Sequence, residues 1–373
     1  MDQPHDSWYH INNLQQIDSP ALVIYPSRVK ENIRLVLSMI DDPARLRPHV
    51  KTHKTKQVTR LLMDAGILKF KCATIAEAEM LAMAGAPDVL LAYQPVGPKI
   101  IRLLLLIETY PLTFFSCLVD NQKSAEQMAE VFAAHGLDVP VYIDLNTGMN
   151  RTGINPGQEA IDLFAAASEL TGIKPVGFHW YDGHINNADL LLRTERCNEA
   201  YSAVEKMLGL LSEMSYTNLI IIAGGSTTFP IHSGRKKIEC SPGTFVYWDK
   251  GYLNTCAEQV FLPAALVITR VISKPDRTKL CLDLGHKSVA AENELSKRVF
   301  FLNAPGLRPV SQSEEHLVVE AGEGHLFEIG DVFYGLPFHI CPTCALYEKA
   351  YIIENGNVSD EWEVIARKRK IGV

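Results

Sequence analysis

The chain has no long apolar run: its longest stretches, such as Leu103–Ile107 and Leu219–Ala223, are about five residues. A membrane-spanning helix needs roughly twenty, so no transmembrane segment is expected. An excess of basic charge is also missing. Lys plus Arg number 36 against 43 Asp plus Glu, a net charge of −7, and no long basic block stands out. Nucleic acid and anionic membrane surfaces are therefore poor partners. The first residues, MDQPHDSWYHINN, carry neither the basic segment nor the apolar core of a signal peptide. Cysteine is sparse too: of eight, only Cys341 and Cys344 stand close together. That is no small disulfide scaffold, and a reducing, cytoplasmic setting is the simplest expectation. What remains is ordinary for a folded globular protein: 47% apolar residues, 21% charged, and 373 residues, enough for two domains.

Short apolar runs alternate with helix-period segments through the first two thirds. Strands are expected near Leu46–Val50, Lys69–Ala73, Val89–Ala92, Thr113–Val119, Val139–Leu145, Pro175–Trp180, Leu219–Ala223 and Thr244–Tyr247. Helical patterns such as Ala76–Ala84, Gln122–Ala134, Gln158–Leu170 and Leu190–Met214 fill gaps between them. Such alternation means parallel strands, and eight repeats predict an α/β (β/α)8 TIM-type barrel, with an open doubly wound sheet as the alternative. From about residue 258 strands follow without helices: Ala265–Ile272, Lys279–Asp283, His316–Glu320 and Tyr351–Glu354. The expected division is a barrel over 18–257 and an all-β C-terminal domain over 258–373. Residues 1–25, through Ala21–Tyr25, are a candidate addition to the second domain.

Reactive residues follow the expected strand ends, where a barrel builds its active site. Lys51, in Arg47-Pro48-His49-Val50-Lys51-Thr52-His53-Lys54, leaves a buried strand. Partial desolvation makes such an amine nucleophilic and able to hold a carbonyl as a Schiff base; a solvated basic turn explains the same residues. Gly224-Gly225-Ser226-Thr227 follows the Leu219–Ala223 strand. Side-chain-free residues let backbone N–H groups approach a phosphate, and the hydroxyls add donors; a plain tight turn is the alternative. In Pro337-Phe338-His339-Ile340-Cys341-Pro342-Thr343-Cys344, an imidazole and a sulfur two residues apart would share a strand face and suit Zn²⁺. Cys341 and Cys344 also read as half of a structural zinc site, as a redox pair, or as a buried cysteine beside a satisfied histidine. Arg151, after the fifth strand, can bind a phenolate or carboxylate or form an ordinary salt bridge, and Asp144 can pair with a buried base.

Together these segments resemble the fold-type III pyridoxal-phosphate enzymes, the alanine racemase-like group, and within it the D-threonine aldolase and D-serine dehydratase branch. The resemblance rests on ordered motifs across roughly residues 18 to 355: Pro48–Lys54, Thr74–Ala78, Asp88–Ala92, Gly148–Gly153, Gly224–Thr227, Ser241–Thr244 and His339–Thr343. It implies that Lys51 holds pyridoxal 5'-phosphate covalently and that Gly224, Gly225, Ser226 and Thr227 hold its phosphate. It implies that Arg151 lies near the phenolate oxygen, that Tyr181 forms the cofactor wall, and that His184 is an approximate counterpart of a catalytic base. It further implies that His339 and Cys341 bind a divalent metal (Zn, Mn or Mg) and that the protein is a homodimer. The implied activity is a lyase acting on D-3-hydroxy amino acids, with aldol cleavage to glycine and an aldehyde placed first. The alternatives, in order, are D-serine dehydratase-like elimination, amino-acid racemisation and non-catalytic pyridoxal-phosphate binding. The chain departs from the aldolases in carrying His-x-Cys, as the eukaryotic-type D-serine dehydratases do, where they carry His-x-Asp; Tyr181-Asp182-Gly183-His184 matches neither branch cleanly, and Thr244-Phe245 stands where tyrosine is common.

Overall fold

A computed structural model describes residues 7–373; residues 1–6, the start of the 1–25 segment expected to join the C-terminal domain, lie outside the described residues. The chain divides into two compact units. A barrel unit comprises Arg34–Lys51, Lys56–Gly243 and Lys368–Val373, and a sheet unit comprises the chain up to Ile33, Thr52–Thr55 and Thr244–Arg367.

In the barrel unit seven parallel strands follow in chain order: Lys69–Cys72, Asp88–Leu91, Phe114–Val119, Val139–Leu145, Ile173–Trp180, Ile220–Ala223 and Ile238–Cys240. Parallel neighbours need crossover connections, supplied by helices such as Ile75–Met83, Gln122–Ala134, Gln158–Ser168 and Leu190–Glu213. The Leu46–Val50 segment touches both edges. Arg47 N–H donates to Cys240 O and Val50 N–H to Lys71 O, each at 2.9 Å. Leu46 bridges Cys240 and His49 bridges Lys71, both parallel, so the ring closes. Pro48 has no N–H to donate, which limits this eighth member to single bridges rather than a ladder.

The expected strand at Thr244–Tyr247 is instead a 3₁₀ turn over Thr244–Val246, and the strand in that place is Ile238–Cys240. Backbone bonding runs on to Ser241, whose N–H donates to Ala223 O, and to Pro242, whose O accepts from His49 N–H; beyond them Tyr247 and Trp248 N–H groups both return to Thr244 O. The true strand is concealed by its charge. Glu239 accepts from Arg47 Nε at 2.8 Å and contacts Lys69 Nζ, while Arg47, 1% exposed, also donates to Asp88 at 2.5 Å. These ion pairs allow charged side chains inside the barrel, where an unpaired one would be prohibitive.

The sheet unit is a nine-stranded, mostly antiparallel sheet. Ala21–Ile24 lies inside it, antiparallel to Ala265–Ile268 and parallel to Ala350–Ile352. Val23, Leu266, Ile268, Tyr334 and Ile353 bury one face of this region together. Val332–Pro337 pairs with Ala265–Ser273 and ends just before His339. Among the described residues no helix is long and apolar enough to cross a membrane.

Candidate active site

Within the barrel unit, the strand ends bring several expected residues together. The ring of Tyr181, just after Ile173–Trp180, has Lys51 Nζ 5.3 Å and Arg151 Cζ 5.1 Å from its centroid. The glycine loop abuts the same ring: a Cβ on Gly225 would stand 2.8 Å from Tyr181 Cε2. Gly183 is bare for the same reason, since its Cβ would meet the Tyr181 hydroxyl at 2.1 Å. One aromatic ring therefore links the lysine, the arginine and the glycine loop.

The loop itself is built for close approach. Gly224 has φ +79°, a conformation that L side chains resist, and Gly225 N–H is held by Thr228 Oγ1 at 3.3 Å. Ser226 and Thr227 are buried, and Gly243 N–H donates to Ser226 Oγ at 3.4 Å. Beside the loop, Ser241 N–H bonds Ala223 O, yet Ser241 is 3% exposed and its hydroxyl has no hydrogen-bond partner among the described residues. A buried polar group without a partner is costly. This orphan beside a glycine loop, a half-buried lysine and a cation-flanked ring suits a phosphorylated aromatic aldehyde. The residues present fit pyridoxal phosphate.

His184 and Gly148 meet where the loops after two neighbouring strands pack: His184 Nε2 would lie 2.9 Å from a Cβ on Gly148. His184 is exposed and so is Arg151. Thr74 serves locally. It caps the Ile75–Met83 helix by accepting from Glu77 N–H at 3.1 Å, while Glu77 returns to Ala73 N–H at 2.7 Å.

The metal-like pair lies in the sheet unit, but not within a strand as the alternation argument expects. His339 caps a short helix, Ile340–Cys344, whose Pro342 could not continue a ladder. The pair still meets, because the turn folds Cys341 back to hydrogen-bond His339. On its other side His339 Nδ1 contacts the Glu292 carboxylate. That carboxylate fixes the tautomer and leaves Nε2 for a metal, the usual outer-shell support of a metal-binding histidine. Burial pulls the His339 pKa down, but the bonds to Cys341 and Glu292 prevail and raise it to about 9. The Cys341 sulfur lies 3.1 Å from Thr52 Oγ1 and 3.6 Å from Thr244 Oγ1. Asp249 steadies the turn by accepting Ile340 N–H at 3.0 Å; its burial raises its own pKa to about 6. Cys344 is buried and not joined to Cys341, and burial pushes its thiol pKa well up. Two protein donors with an outer-shell carboxylate and open positions fit a catalytic divalent ion better than a closed structural one.

Sequence reading missed several groups. Glu292 and Asp249 carry no local signal, since each reaches the metal-like pair only through the fold; Thr52 and Thr244 lie in motifs already named, but their place beside Cys341 emerges only in the structure. A second trio, Asp182, Cys197 and His232, is buried and close enough to suggest a metal. Its surroundings argue otherwise. Arg235 Nη1 lies 2.6 Å from His232 Nδ1 and can only donate, so Nδ1 is the acceptor and Nε2–H points to Asp182 at 2.8 Å. A metal would need that Nε2 lone pair, so the trio is a hydrogen-bond network that braces Thr228, whose hydroxyl also reaches Asp182 at 2.7 Å.

The same architecture recurs in known proteins. Residues 264–353 match the putative serine dehydratase domain. A D-threonine aldolase of Arthrobacter sp is 27% identical over 360 residues, 95% of this chain and 94% of that protein. D-threo-3-hydroxyaspartate dehydratase of Delftia sp. is 24% identical over 390 residues, covering 94% and 98%. The crystal structure of D-threonine aldolase from Filomicrobium marinum superposes with a TM-score of 0.86 at 25% identity, covering 98% of this chain and 99% of that one. Residues 24–250, more than half of the chain, match the alanine racemase N-terminal domain, and the protein belongs to that family.

Proposed function

We propose that the protein is a pyridoxal-phosphate- and divalent-metal-dependent lyase of D-3-hydroxy amino acids that cleaves its substrate to glycine and an aldehyde. The observation that carries this reading is the convergence of Lys51, Arg151 and the Gly224–Thr227 loop around Tyr181. The domain limits of 18–257 and 258–373 belong to the same reading, as do a homodimer and a reducing cytoplasmic compartment.

Lys51 would bind the cofactor's aldehyde carbon. Gly224, Gly225, Ser226 and Thr227 would hold its phosphate, and Ser241 would gain the partner it lacks. Arg151 would hold the phenolate side, and Tyr181 would press on the ring. Bound there, pyridoxal phosphate serves as the electron sink that lets a bond to the substrate α-carbon break. His339 and Cys341 would hold the metal, a Lewis acid for the substrate's β-hydroxyl. Exposed His184 is the candidate base for the β-hydroxyl proton. In cleavage that proton leaves, the Cα–Cβ bond breaks, the β-carbon departs as an aldehyde, and a proton returned to the α-carbon gives glycine. In the alternative, Lys51 takes the α-proton, hydroxide leaves protonated as water, and hydrolysis yields a keto acid and ammonia. The His339-x-Cys341 pair favours this second ending, and the base in the Tyr181–His184 loop favours the first.

Product analysis tests the choice. The protein, loaded with pyridoxal phosphate and Mn²⁺ or Zn²⁺, is given D-threonine, D-serine and their L forms. Glycine and acetaldehyde from D-threonine support cleavage. A keto acid with ammonia replaces it by elimination, and no product from any hydroxy amino acid overturns both.

A further inference from the structure

Inside the barrel unit runs a polar chain that none of the steps above uses. Lys71 occupies the third position of Lys69–Cys72 and is 2% exposed. Its strand lies directly beside the segment that ends in Lys51: Lys71 N–H donates to Pro48 O, and Val50 N–H to Lys71 O, both at 2.9 Å. The amine turns across the barrel, with Nζ 3.3 Å from His179 Nε2. His179 Nδ1 lies 2.8 Å from Asp144 Oδ1, and Asp144 Oδ2 accepts from Gln94 Nε2 and Thr152 Oγ1 at 2.9 Å each. Asp144 is ionised: burial would raise its pKa, but the bonds from His179, Thr152 and Gln94 hold it below the usual range. A carboxylate only accepts, so His179 carries its proton on Nδ1 and offers a lone pair at Nε2. The chain therefore has a direction, from Lys71 through His179 to Asp144.

Lys71 spends one N–H on a neutral acceptor and, among the described residues, pairs with no carboxylate. Lys51 and Arg47 face it with like charge, Asp144 and Asp182 with opposite charge. Burial first, and then Lys51, lower its pKa to about 7. A buried amine so placed is poor structural material, because a methionine of similar length would fill its space without a charge to desolvate.

We propose that Lys71 is a direct hydrogen-bond donor to the pyridoxal phosphate held at Lys51, oriented for that contact by His179 and Asp144. The proposal rests on the cofactor reading above.

The test compares wild type, Lys71→Met, Lys71→Arg and Lys51→Ala as full-length apoprotein. Pyridoxal-phosphate affinity is read by absorbance titration, and Tm is read with and without the cofactor. A hydrogen bond from a charged donor predicts about ten- to hundredfold weaker binding in Lys71→Met. Lys71→Arg, which keeps charge and donors, is expected between Lys71→Met and wild type. Apo Tm in Lys71→Met should equal or exceed that of wild type, while its gain on adding cofactor shrinks. A merely structural lysine would do the reverse, lowering apo Tm and leaving affinity intact. Wild-type affinity in Lys71→Met overturns the proposal, and wild-type affinity in Lys71→Leu overturns it equally should the methionine variant not fold. If wild type binds no cofactor at lysine, the cofactor reading and this proposal fall together. If wild type binds it, Lys51→Ala loses the covalent link and Lys71→Met binds normally, only this proposal falls.

Discussion

Replacing Gly225 by alanine isolates the role of the Tyr181 ring. The added Cβ would lie 2.8 Å from Tyr181 Cε2, 3.5 Å from Cδ2 and 3.8 Å from Cζ, with no backbone atom as close. Gly225 lies outside the left-handed region that forces Gly224, so alanine pays no backbone penalty there and the cost is steric. Carbon atoms in contact prefer about 3.5–4.0 Å, so the ring must retreat by roughly an ångström. Overpacking of this size costs about 1–3 kcal/mol, or about five- to 150-fold in affinity if the ring is part of the cofactor wall. Pyridoxal-phosphate titration of Gly225→Ala measures it, and the double-mutant cycle with Tyr181→Ala assigns it. The loss should nearly vanish in the Tyr181→Ala background, where the methyl meets empty space. An unchanged affinity in the single variant refutes the wall. An equal loss in both backgrounds shows that the glycine matters for another reason.

Other perturbations probe separate parts of the structure. Glu292→Gln removes the carboxylate on His339 Nδ1 and should weaken divalent-metal binding about ten- to hundredfold, read by competition with a chromogenic chelator. Below about pH 9 metal-free His339 carries a proton that the metal must displace, so apparent metal affinity should fall about tenfold per pH unit from this group alone; a flat profile between pH 6 and 8 contradicts it. Glu239→Gln leaves Arg47 paired with Asp88 alone and deprives Lys69 of its carboxylate, and should cost about 1–3 kcal/mol in urea unfolding with unchanged slope. His184→Ala should suppress aldehyde release far more than cofactor binding, and equal loss of both denies His184 the role of base.

Much of the fold was legible because its signal is periodic and local. Gln122–Ala134 and Val139–Leu145 fall where apolar spacing places them, the helix burying one face and the strand nearly its whole length on both. The error at the eighth strand has a single cause. Ile238–Cys240 is short, and Glu239 looks like a surface residue until Arg47 and Lys69 are brought from about 190 and 170 positions away. Thr244–Val246 looks like a strand because it is apolar and buried, but its burial is that of a turn. The site divides in the same way. Lys51, Arg151, Tyr181 and the glycine loop announce themselves by residue type after a strand. Glu292 has no such signal, being 47 positions from His339; Ser241 opens a named motif, but that its hydroxyl is an orphan shows only in the fold. Lys71 does carry a local signal: a lysine between Phe70 and Cys72 in a buried strand is already a charge in want of a reason.

The two endings of the reaction demand different things of one chain, and that decides which residues can discriminate between them. Both need an electron sink at Lys51 and a Lewis acid for the β-hydroxyl, so neither Lys51 nor the His339–Cys341 pair separates cleavage from elimination. Cleavage must take a proton from oxygen and leave the α-hydrogen alone. Elimination must take the α-hydrogen and leave the hydroxyl its proton. The discriminating residue is therefore a base, judged by which proton it reaches. His184 is exposed and packed on Gly148 in the loop beyond Tyr181. Lys51 is the base that elimination would employ, and it is present in either case. Adding a competent histidine thus enables cleavage without disabling elimination, whereas removing it leaves elimination as the remaining route. A lyase with this residue set is expected to shift its product ratio toward keto acid when His184 is lost, rather than fall silent.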